Sequence, residues 1–365
     1  MILILLWPIS VPAAGSIKVA SIYALSGPAA DANRSSVRGV RLAVNEINAS
    51  GGIAGRPIEL LEMDNQSSPI GSKVAADKAV RADVIAIIGS AFSSHSMAVA
   101  RVAQQHQVPM ITNVSTSPAV TLVGNYIFRV CFNDIFQGRV MAKFARKEIN
   151  LNGVVTIYDM SSDYSIGIST TFEHAFEQMN GAVLAKIPYK ARQSNFRNIA
   201  SLISSTNPDG IFIAGHSESG RIIADAIQSG VNAVPLGGDG WDESSFYEMG
   251  GQKIKTGYYS THWNQGMESE ASRRFVARYG TSGKLWASTA LAYDAVHLLA
   301  DAIKRAGSVV RESVRKELAR TRNFKGVTGT ISFDQNGDPI KSVVIMQIRD
   351  GVPVYLKQVD SKYVN

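Results

Sequence analysis

Short apolar runs alternate with amphipathic stretches along most of the chain. Runs such as Ile17 to Tyr23 and Val84 to Ile88 are rich in β-branched residues, which is typical of strands buried on both faces. Between such runs, apolar residues recur at Val37, Val40 and Val44, the spacing of an amphipathic helix. Strands that alternate with helices through short connections predict a parallel, doubly wound α/β sheet.

The same alternation begins again near Asn133. A helix is predicted over 137–149, a strand over 154–158, and further helices and strands follow to about 237. A long amphipathic helix over 288–306 and two late strands complete the pattern. The restart predicts two similar α/β lobes.

Hydroxyl side chains follow two neighbouring predicted strands. Ser93 and Ser94 come after the run 84–88, while Ser115 and Thr116 come after the run 108–112. The carboxyl ends of parallel strands are where ligands bind in open α/β sheets, and hydroxyls with free helix amides suit an anion such as a carboxylate. The alternative is that these residues are only helix caps, since Ser and Thr are preferred there.

The composition agrees with a globular protein of two domains. The chain has 365 residues, of which 45% are hydrophobic and 18% are charged, with a net charge of +7. Lys and Arg are interleaved with Asp and Glu, and the most basic stretch, 311–325, carries acids at helical spacing. We therefore expect a solvated helix face there and no nucleic-acid partner.

The first residues resemble a secretory signal peptide. The run Met1 to Trp7 is apolar and leads to small residues at Ala13 and Ala14, so we expect a signal peptide over 1–15 and a mature chain that starts between Ala14 and Ile17. The run is too short to span a bilayer. Cys131 is the sole cysteine, which excludes an intramolecular disulfide and a cysteine-based metal site. We expect an exported, soluble protein without a metal or cofactor.

An ordered set of motifs carries a family resemblance over Ile17 to about Gly351. The motifs are IKVASIYALSGPAA, RGVRLAVNEINASGGIAGRPIEL, IIGSAFSSHSMAVARVAQQHQVPMITNVSTSP, Asp163-Tyr164, PLGGDGWD and GTISFDQNGDP. In this order they resemble the leucine/isoleucine/valine-binding protein family, exported solute receptors of ABC transporters with the type I periplasmic binding fold.

The resemblance implies two lobes that are joined by a three-segment hinge and close on a ligand. It places the crossings near 131–134, 260–262 and 333–338. The implied lobes are 16–132 with 262–334, and 133–261 with 335–365.

The resemblance also implies a set of ligand-binding residues. Ser93 matches the family's carboxylate-binding serine, with Ser94 beside it, and Ala32 stands where the family has an aromatic wall. The other implied positions are Val114 and Thr116 with Ser115 between them, the aromatic Tyr164, His216 or Ser217 after a glycine-containing strand, the ammonium acceptor Asp239, and the candidate wall residue Trp241.

The chemistry of these side chains fits a zwitterion. Hydroxyls and amides near Ser93 and Thr116 can hold a carboxylate, and Asp239 can accept from an ammonium. The alternative for Asp239 is a turn residue between Gly238 and Gly240, because turns favour Asp. The alternative for Trp241 and Tyr164 is ordinary packing at the edge of a lobe.

The hypothesis from sequence is a periplasmic receptor of an ABC importer. It would be a monomer that binds an amino acid or a similar small carboxylate or amide, and it would deliver this ligand to a permease in the inner membrane. Alternatives are a ligand-sensing receptor or an amide- or urea-binding regulator of the same fold. A serine hydrolase or amidase is a further alternative, but Ser219 replaces the second glycine that a nucleophile elbow needs after Gly215. We therefore expect no enzymatic activity.

Overall fold

The computed structural model of the chain describes residues 15–190 and 196–364. Apart from Gly15, the expected signal peptide lies outside the described residues, so its cleavage stays a prediction. In the part of the chain that the structure describes, no helix has the length and apolarity that crossing a membrane requires.

The strands and helices alternate through both halves of the chain. The strands are β1 (Ile17–Tyr23), β2 (Ile58–Asp64), β3 (Ala86–Gly89), β4 (Met110–Thr112), β5 (Ile127–Arg129), β6 (Gly153–Asp159), β7 (Ala182–Tyr189), β8 (Gly210–Ala214), β9 (Val234–Gly237), β10 (Thr256–Thr261), β11 (Phe324–Gly326), β12 (Gly329–Ile331), β13 (Val343–Arg349) and β14 (Val352–Val359). The helices are α1 (Ala30–Ala49), α2 (Pro69–Arg81), α3 (Ser93–Gln105), α4 (Asp134–Lys143), α5 (Asp163–Gln178), α6 (Arg197–Thr206), α7 (Ser217–Gln228), α8 (Ser244–Glu248), α9 (Glu270–Tyr279), α10 (Ala287–Ala306) and α11 (Arg311–Ala319).

The two large sheets repeat one strand order. The first sheet runs β2-β1-β3-β4-β5, and all its neighbouring strands are parallel. The second sheet runs β7-β6-β8-β9-β10 in the same relative order and then adds β13 and β14. In this order the connections reverse direction beside β1 and beside β6, where crevices for ligands form at the carboxyl ends of the strands. The predicted two-lobed, doubly wound α/β fold is confirmed.

The second sheet departs from the parallel pattern at one edge. β13 is antiparallel to β10, and β14 is antiparallel to β13. The hairpin between them turns at Asp350 and Gly351, which both have positive φ. An Asp-Gly pair is a preferred choice for such a two-residue turn. Segment 334–338 lies earlier, between β12 and β13, and these two strands flank it as the two late strands expected from sequence.

A late helix completes the core of the first lobe. α10 packs against α1 and the first sheet, with Leu291, Ala295 and Leu299 buried among Val40 and Val44 of α1. The two helices meet closely at Gly39, where an added Cβ would lie 2.2 Å from the Thr289 carbonyl oxygen. Residues far apart in sequence therefore build one hydrophobic core.

The chain passes between the lobes in three segments, and buried polar contacts fasten two of them together. Arg129 at the end of β5 bonds Asp338 through Nε at 2.7 Å, and the Asn133 amide donates to the other carboxylate oxygen at 3.0 Å. Lys341 donates to the Val130 carbonyl at 3.0 Å. The segment before β13 is thus fastened to the segment after β5. The lobe borders at residues 132, 261 and 334 stay predictions.

Candidate functional site

A cavity lies between the lobes, where the carboxyl ends of β3 and β4 face those of β6, β8 and β9. We call it the first chamber, and its volume is about 60 Å³. It is lined by six of the residues expected from sequence: Ser93, Val114, Thr116, Tyr164, His216 and Asp239. A wider cavity of about 310 Å³, the second chamber, shares Ser93, Tyr164 and His216 with the first.

The first-lobe wall offers hydroxyls and a helix N-terminus. Ser93 is the first residue of α3, it is 4% exposed, and its Oγ accepts a hydrogen bond from the Ser117 amide at 3.2 Å. Thr116 is buried beside it. The free amides at the start of a helix carry partial positive charge, so this wall suits an anionic group.

The other two predicted hydroxyl residues, Ser115 and Ser94, do not line the first chamber. Ser115 lies behind the wall, where its Oγ bonds Ser96 Oγ at 2.6 Å and the Ala91 carbonyl at 2.8 Å. This bond joins the loop after β3 to the loop after β4. Ser94 lines the second chamber and not the first.

A buried arginine fixes the loop that carries Val114 and Thr116. Arg129 is fully buried, and its guanidinium donates to the carbonyls of Ser115 at 2.6 Å and Ser117 at 2.9 Å. Its charge is balanced by Asp338. Because the fork of Arg fixes several acceptors in one geometry, the loop backbone is held relative to the hinge.

Asp239 forms the opposite, acidic wall. Its Oδ2 lies 3.0 Å from His262 Nε2, and its Oδ1 accepts from Gln137 Nε2 at 3.0 Å. Burial acts to raise the pKa of Asp239, but the hydrogen bonds and charges around it, chiefly from His262, bring the pKa below its ordinary value. Burial lowers the pKa of His262, against the opposing effect of Asp239. We therefore assign a charged Asp239 beside a neutral His262 that donates from Nε2.

A second carboxyl lies behind this wall. Asp134 is buried at the start of α4 and accepts from the same Gln137 amide at 2.8 Å. Burial, and then the negative charge of Asp239, raise the pKa of Asp134 to about 8. The protonated form is therefore favoured at neutral pH, which avoids two adjacent buried charges.

Aromatic rings bridge the cleft. The Phe92 ring, before α3, lies 4.6 Å from the His216 ring of the second lobe, and the Tyr164 ring lies 5.3 Å from His216. The Tyr164 hydroxyl accepts from the Gly240 amide at 3.2 Å, which places the loop after β9 against α5.

Trp241 lies outside both chambers. It is fully buried in the second lobe, where its ring stacks on Phe246 at 4.7 Å. An added Cβ at Gly237 would lie 2.2 Å from the indole, so the strand before it leaves room for this ring. The structure supports the packing alternative for Trp241.

Several lining residues were not expected from sequence, among them Phe92, Asp242, Glu243, His262 and Ser288. Four of these five adjoin predicted features, since Phe92 precedes Ser93, Asp242 ends the motif PLGGDGWD, His262 ends a predicted crossing, and Ser288 begins a predicted helix. Their positions next to predicted features are the signal in the sequence that could have identified them.

Asp242 and Glu243 extend the acidic wall beyond Asp239. Asp242 accepts from the Thr261 hydroxyl at 2.9 Å and from the Ala287 amide at 3.1 Å, and burial raises its pKa to about 6. Glu243 lines both chambers. Burial raises its pKa to about 7, and its Oε1 is buried with no hydrogen-bond partner among the described residues.

Solved structures share the whole architecture. A leucine-binding protein from Thermotoga maritima is 35% identical and superposes with a TM-score of 0.90, covering 94% of this chain and 99% of its own. A branched-chain amino acid transporter substrate-binding protein from Streptococcus pneumoniae, solved in complex with isoleucine, is 29% identical with a TM-score of 0.88 and the same coverage.

Amino-acid-binding proteins known from their sequences are also similar to this chain. The leucine-, isoleucine-, valine-, threonine- and alanine-binding protein of Pseudomonas aeruginosa is 26% identical over 330 residues, which are 89% of this chain and 88% of that protein. The family model described as "Periplasmic binding protein" matches residues 16–352. With this match over nearly all of the described chain, and with the two-lobed fold around an interlobe cavity, the chain belongs to the periplasmic binding protein family.

Proposed function

We propose that this protein is the solute receptor of an ABC importer and that it binds an α-amino acid in the first chamber. The observation that carries the proposal is the polarity of the chamber. Ser93, Thr116 and the start of α3 offer donors on one wall, while the Asp239 carboxylate offers an acceptor on the other. A zwitterion needs both ends at once.

The mechanism is closure of the lobes on the ligand. The ligand's carboxylate contacts the first lobe, its ammonium contacts Asp239 of the second lobe, and binding therefore favours the closed form. A ligand shifts such an equilibrium only by its higher affinity for that form. The closed monomer is then recognised by the permease in the inner membrane, and no chemical step is involved.

The ligands of the similar proteins support this ligand class. The two solved structures are of a leucine-binding protein and of a complex with isoleucine, and the Pseudomonas aeruginosa protein is named for leucine, isoleucine, valine, threonine and alanine. Export to the periplasm, as predicted from the first residues, fits a receptor that captures its ligand before transport.

Thermal unfolding with a ligand panel tests the proposal. A ligand that binds only the folded state raises the midpoint temperature of unfolding, by an amount set by the ratio of its free concentration to its Kd. We expect a rise with at least one of the twenty amino acids. The matched controls are its α-keto acid, which lacks the ammonium, and its α-amide, which lacks the carboxylate, and both should give a much smaller rise. Equal rises with all three compounds, or no rise with any amino acid, would overturn the proposal.

A further inference from the structure

The walls around the proposed amino-acid site contain an excess of acceptors. Four carboxyl groups that the zwitterion hypothesis does not use line the chambers: Asp242 in the first, Glu243 in both, and Asp159 and Glu218 in the second. No Lys or Arg lines either chamber among the residues that the structure describes. The space beyond Asp239 is therefore negatively charged.

Two buried atoms in these walls have no partner among the described residues, and both are acceptors. One is Glu243 Oε1. The other is Nδ1 of His262, whose side chain is 2% exposed; since its Nε2 carries the proton that bonds Asp239, Nδ1 is a bare lone pair. Buried acceptors without a donor are costly, so a ligand that brings donors gains affinity here.

Three of these carboxyl groups have structural partners. Asp159 Oδ1 accepts from the Ser161 amide at 3.0 Å, Glu218 Oε1 accepts from the Tyr189 hydroxyl at 2.6 Å, and Asp242 accepts from Thr261 and Ala287. The carboxyl group of Glu243 interacts with the Ser245 side chain, but its Oε1 has no hydrogen-bond partner among the described residues. Glu243 also lines both chambers.

An aliphatic side chain would meet a mixed surface there. The apolar surface of the second chamber comes from the rings of Phe92 and Tyr164 and from the small side chains of Pro28, Ala29 and Ala32, which lie among histidines, serines and acids. Ala32 stands where the resemblance implies an aromatic wall. A branched hydrocarbon at this position would bury the carboxylates without bonding them.

We propose that the preferred ligand is an amino acid with a positively charged side chain, an ammonium or guanidinium group that pairs with Glu243 and extends into the second chamber. This inference rests on the proposed function and narrows its ligand class. It departs from the leucine and isoleucine that the names of the similar proteins give.

Calorimetric titration of the whole chain with isosteric pairs tests the proposal. Arginine against citrulline and lysine against 2-aminoheptanoic acid differ in side-chain charge at nearly constant shape, and leucine completes the set. We expect arginine or lysine to bind about tenfold or more tightly than its neutral partner and than leucine, as a charge-assisted bond in a buried site implies. Equal or tighter binding of the neutral partners or of leucine would overturn this inference and leave the proposed function standing. Absence of binding by every amino acid would overturn both.

Replacing Glu243 tests whether this residue binds the charged side chain of the ligand. Glu243→Gln should lower the affinity for the cationic ligand by about tenfold and leave that for its neutral isostere nearly unchanged. The matched control is Glu248→Gln, since Glu248 is exposed on the neighbouring helix α8. Equal losses for both ligands, or no loss for the cationic one, would remove Glu243 from the side-chain site. Should Glu243→Gln not fold, the isosteric pairs on the unaltered protein decide the question.

Discussion

Asp239 is the residue on which the proposed ammonium site depends. Its carboxylate is already oriented by His262 and Gln137, so a ligand meets a fixed acceptor and pays little to order it. We expect Asp239→Asn to weaken amino-acid binding about 30-fold or more, because truncating one partner of a buried charge pair costs ~2–5 kcal/mol.

The α-keto acid separates this effect from a change of fold. It has no ammonium, so its weak affinity should be the same for the variant and for the unaltered protein in calorimetry. Asp225→Asn on α7, away from both chambers, is the matched substitution and should change neither affinity. If Asp239→Asn weakens both compounds equally, Asp239 shapes the site and does not bind the ammonium.

Asp134 predicts how stability changes with pH. Burial and the charge of Asp239 raise its pKa to about 8, whereas the pKa of an Asp in the unfolded chain is about 3.9. Between these values the unfolded chain has released a proton that the folded chain still holds, so stability falls as pH rises from about 4 to 8 and levels off above that. Asp134→Asn removes this contribution and keeps an oxygen for Gln137. Its Tm should therefore fall less between pH 5 and 8 than that of the unaltered protein.

Calorimetric scans at pH 5, 6.5 and 8 make this comparison. Asp242 and Glu243, with pKa values raised to about 6 and about 7, act in the same direction and remain in the variant, so the slope is reduced and not abolished. Asp31→Asn, at an exposed position on α1, should leave the slope unchanged. Parallel curves for Asp134→Asn and the unaltered protein would contradict the assignment of a protonated Asp134.

The order and type of the elements were predictable from sequence because each depends on local periodicity. Short β-branched runs and 3.6-residue spacing identified β1, β3 and α10, and the restart near Asn133 predicted two similar lobes, which the repeated strand order bears out. Two late strands were predicted, but the antiparallel hairpin of β13 and β14 was not, although Asp350-Gly351 is a strong hairpin signal.

Placement of side chains at the strand ends was less predictable. Trp241 and Asp239 lie two residues apart in one loop, yet one is in the core of the second lobe and the other is in the cavity. Which of them faces the cleft depends on contacts with Phe246 and His262, which come from other elements. Periodicity carries no information about such contacts.

The Arg129 side chain of strand β5 holds the loop after β4 in place. Removing the guanidinium of Arg129 leaves Asp338 buried with weaker partners, so we expect Arg129→Met to lower the free energy of unfolding by ~3–5 kcal/mol. The double variant Arg129→Met with Asp338→Asn should recover part of this loss, because no unpaired charge remains. Urea titration measures both. A double variant no more stable than Arg129→Met alone would show that the ion pair is not the main contribution.

The two lobes meet through the rings of Phe92 and His216, which line both chambers. An aromatic contact of this kind contributes ~0.5–1.5 kcal/mol beyond its buried area, which is enough to bias an equilibrium between open and closed forms. Phe92→Ala should therefore increase the radius of gyration of the ligand-free protein in X-ray scattering. With saturating ligand, the radius should return to that of the unaltered complex.

The affinity of Phe92→Ala for the ligand should be lower, because its closed form is less populated. Part of the binding free energy is then used to close the lobes. The apparent Kd of Phe92→Ala should rise by the factor by which closure becomes less favourable, about tenfold for a loss of 1.4 kcal/mol. Leu122→Ala, an exposed apolar truncation far from the chambers, should change neither radius nor Kd. A weaker Kd with an unchanged ligand-free radius would mean that Phe92 contacts the ligand directly. In that case the lobes must be held by other contacts, such as the approach of α3 to α5.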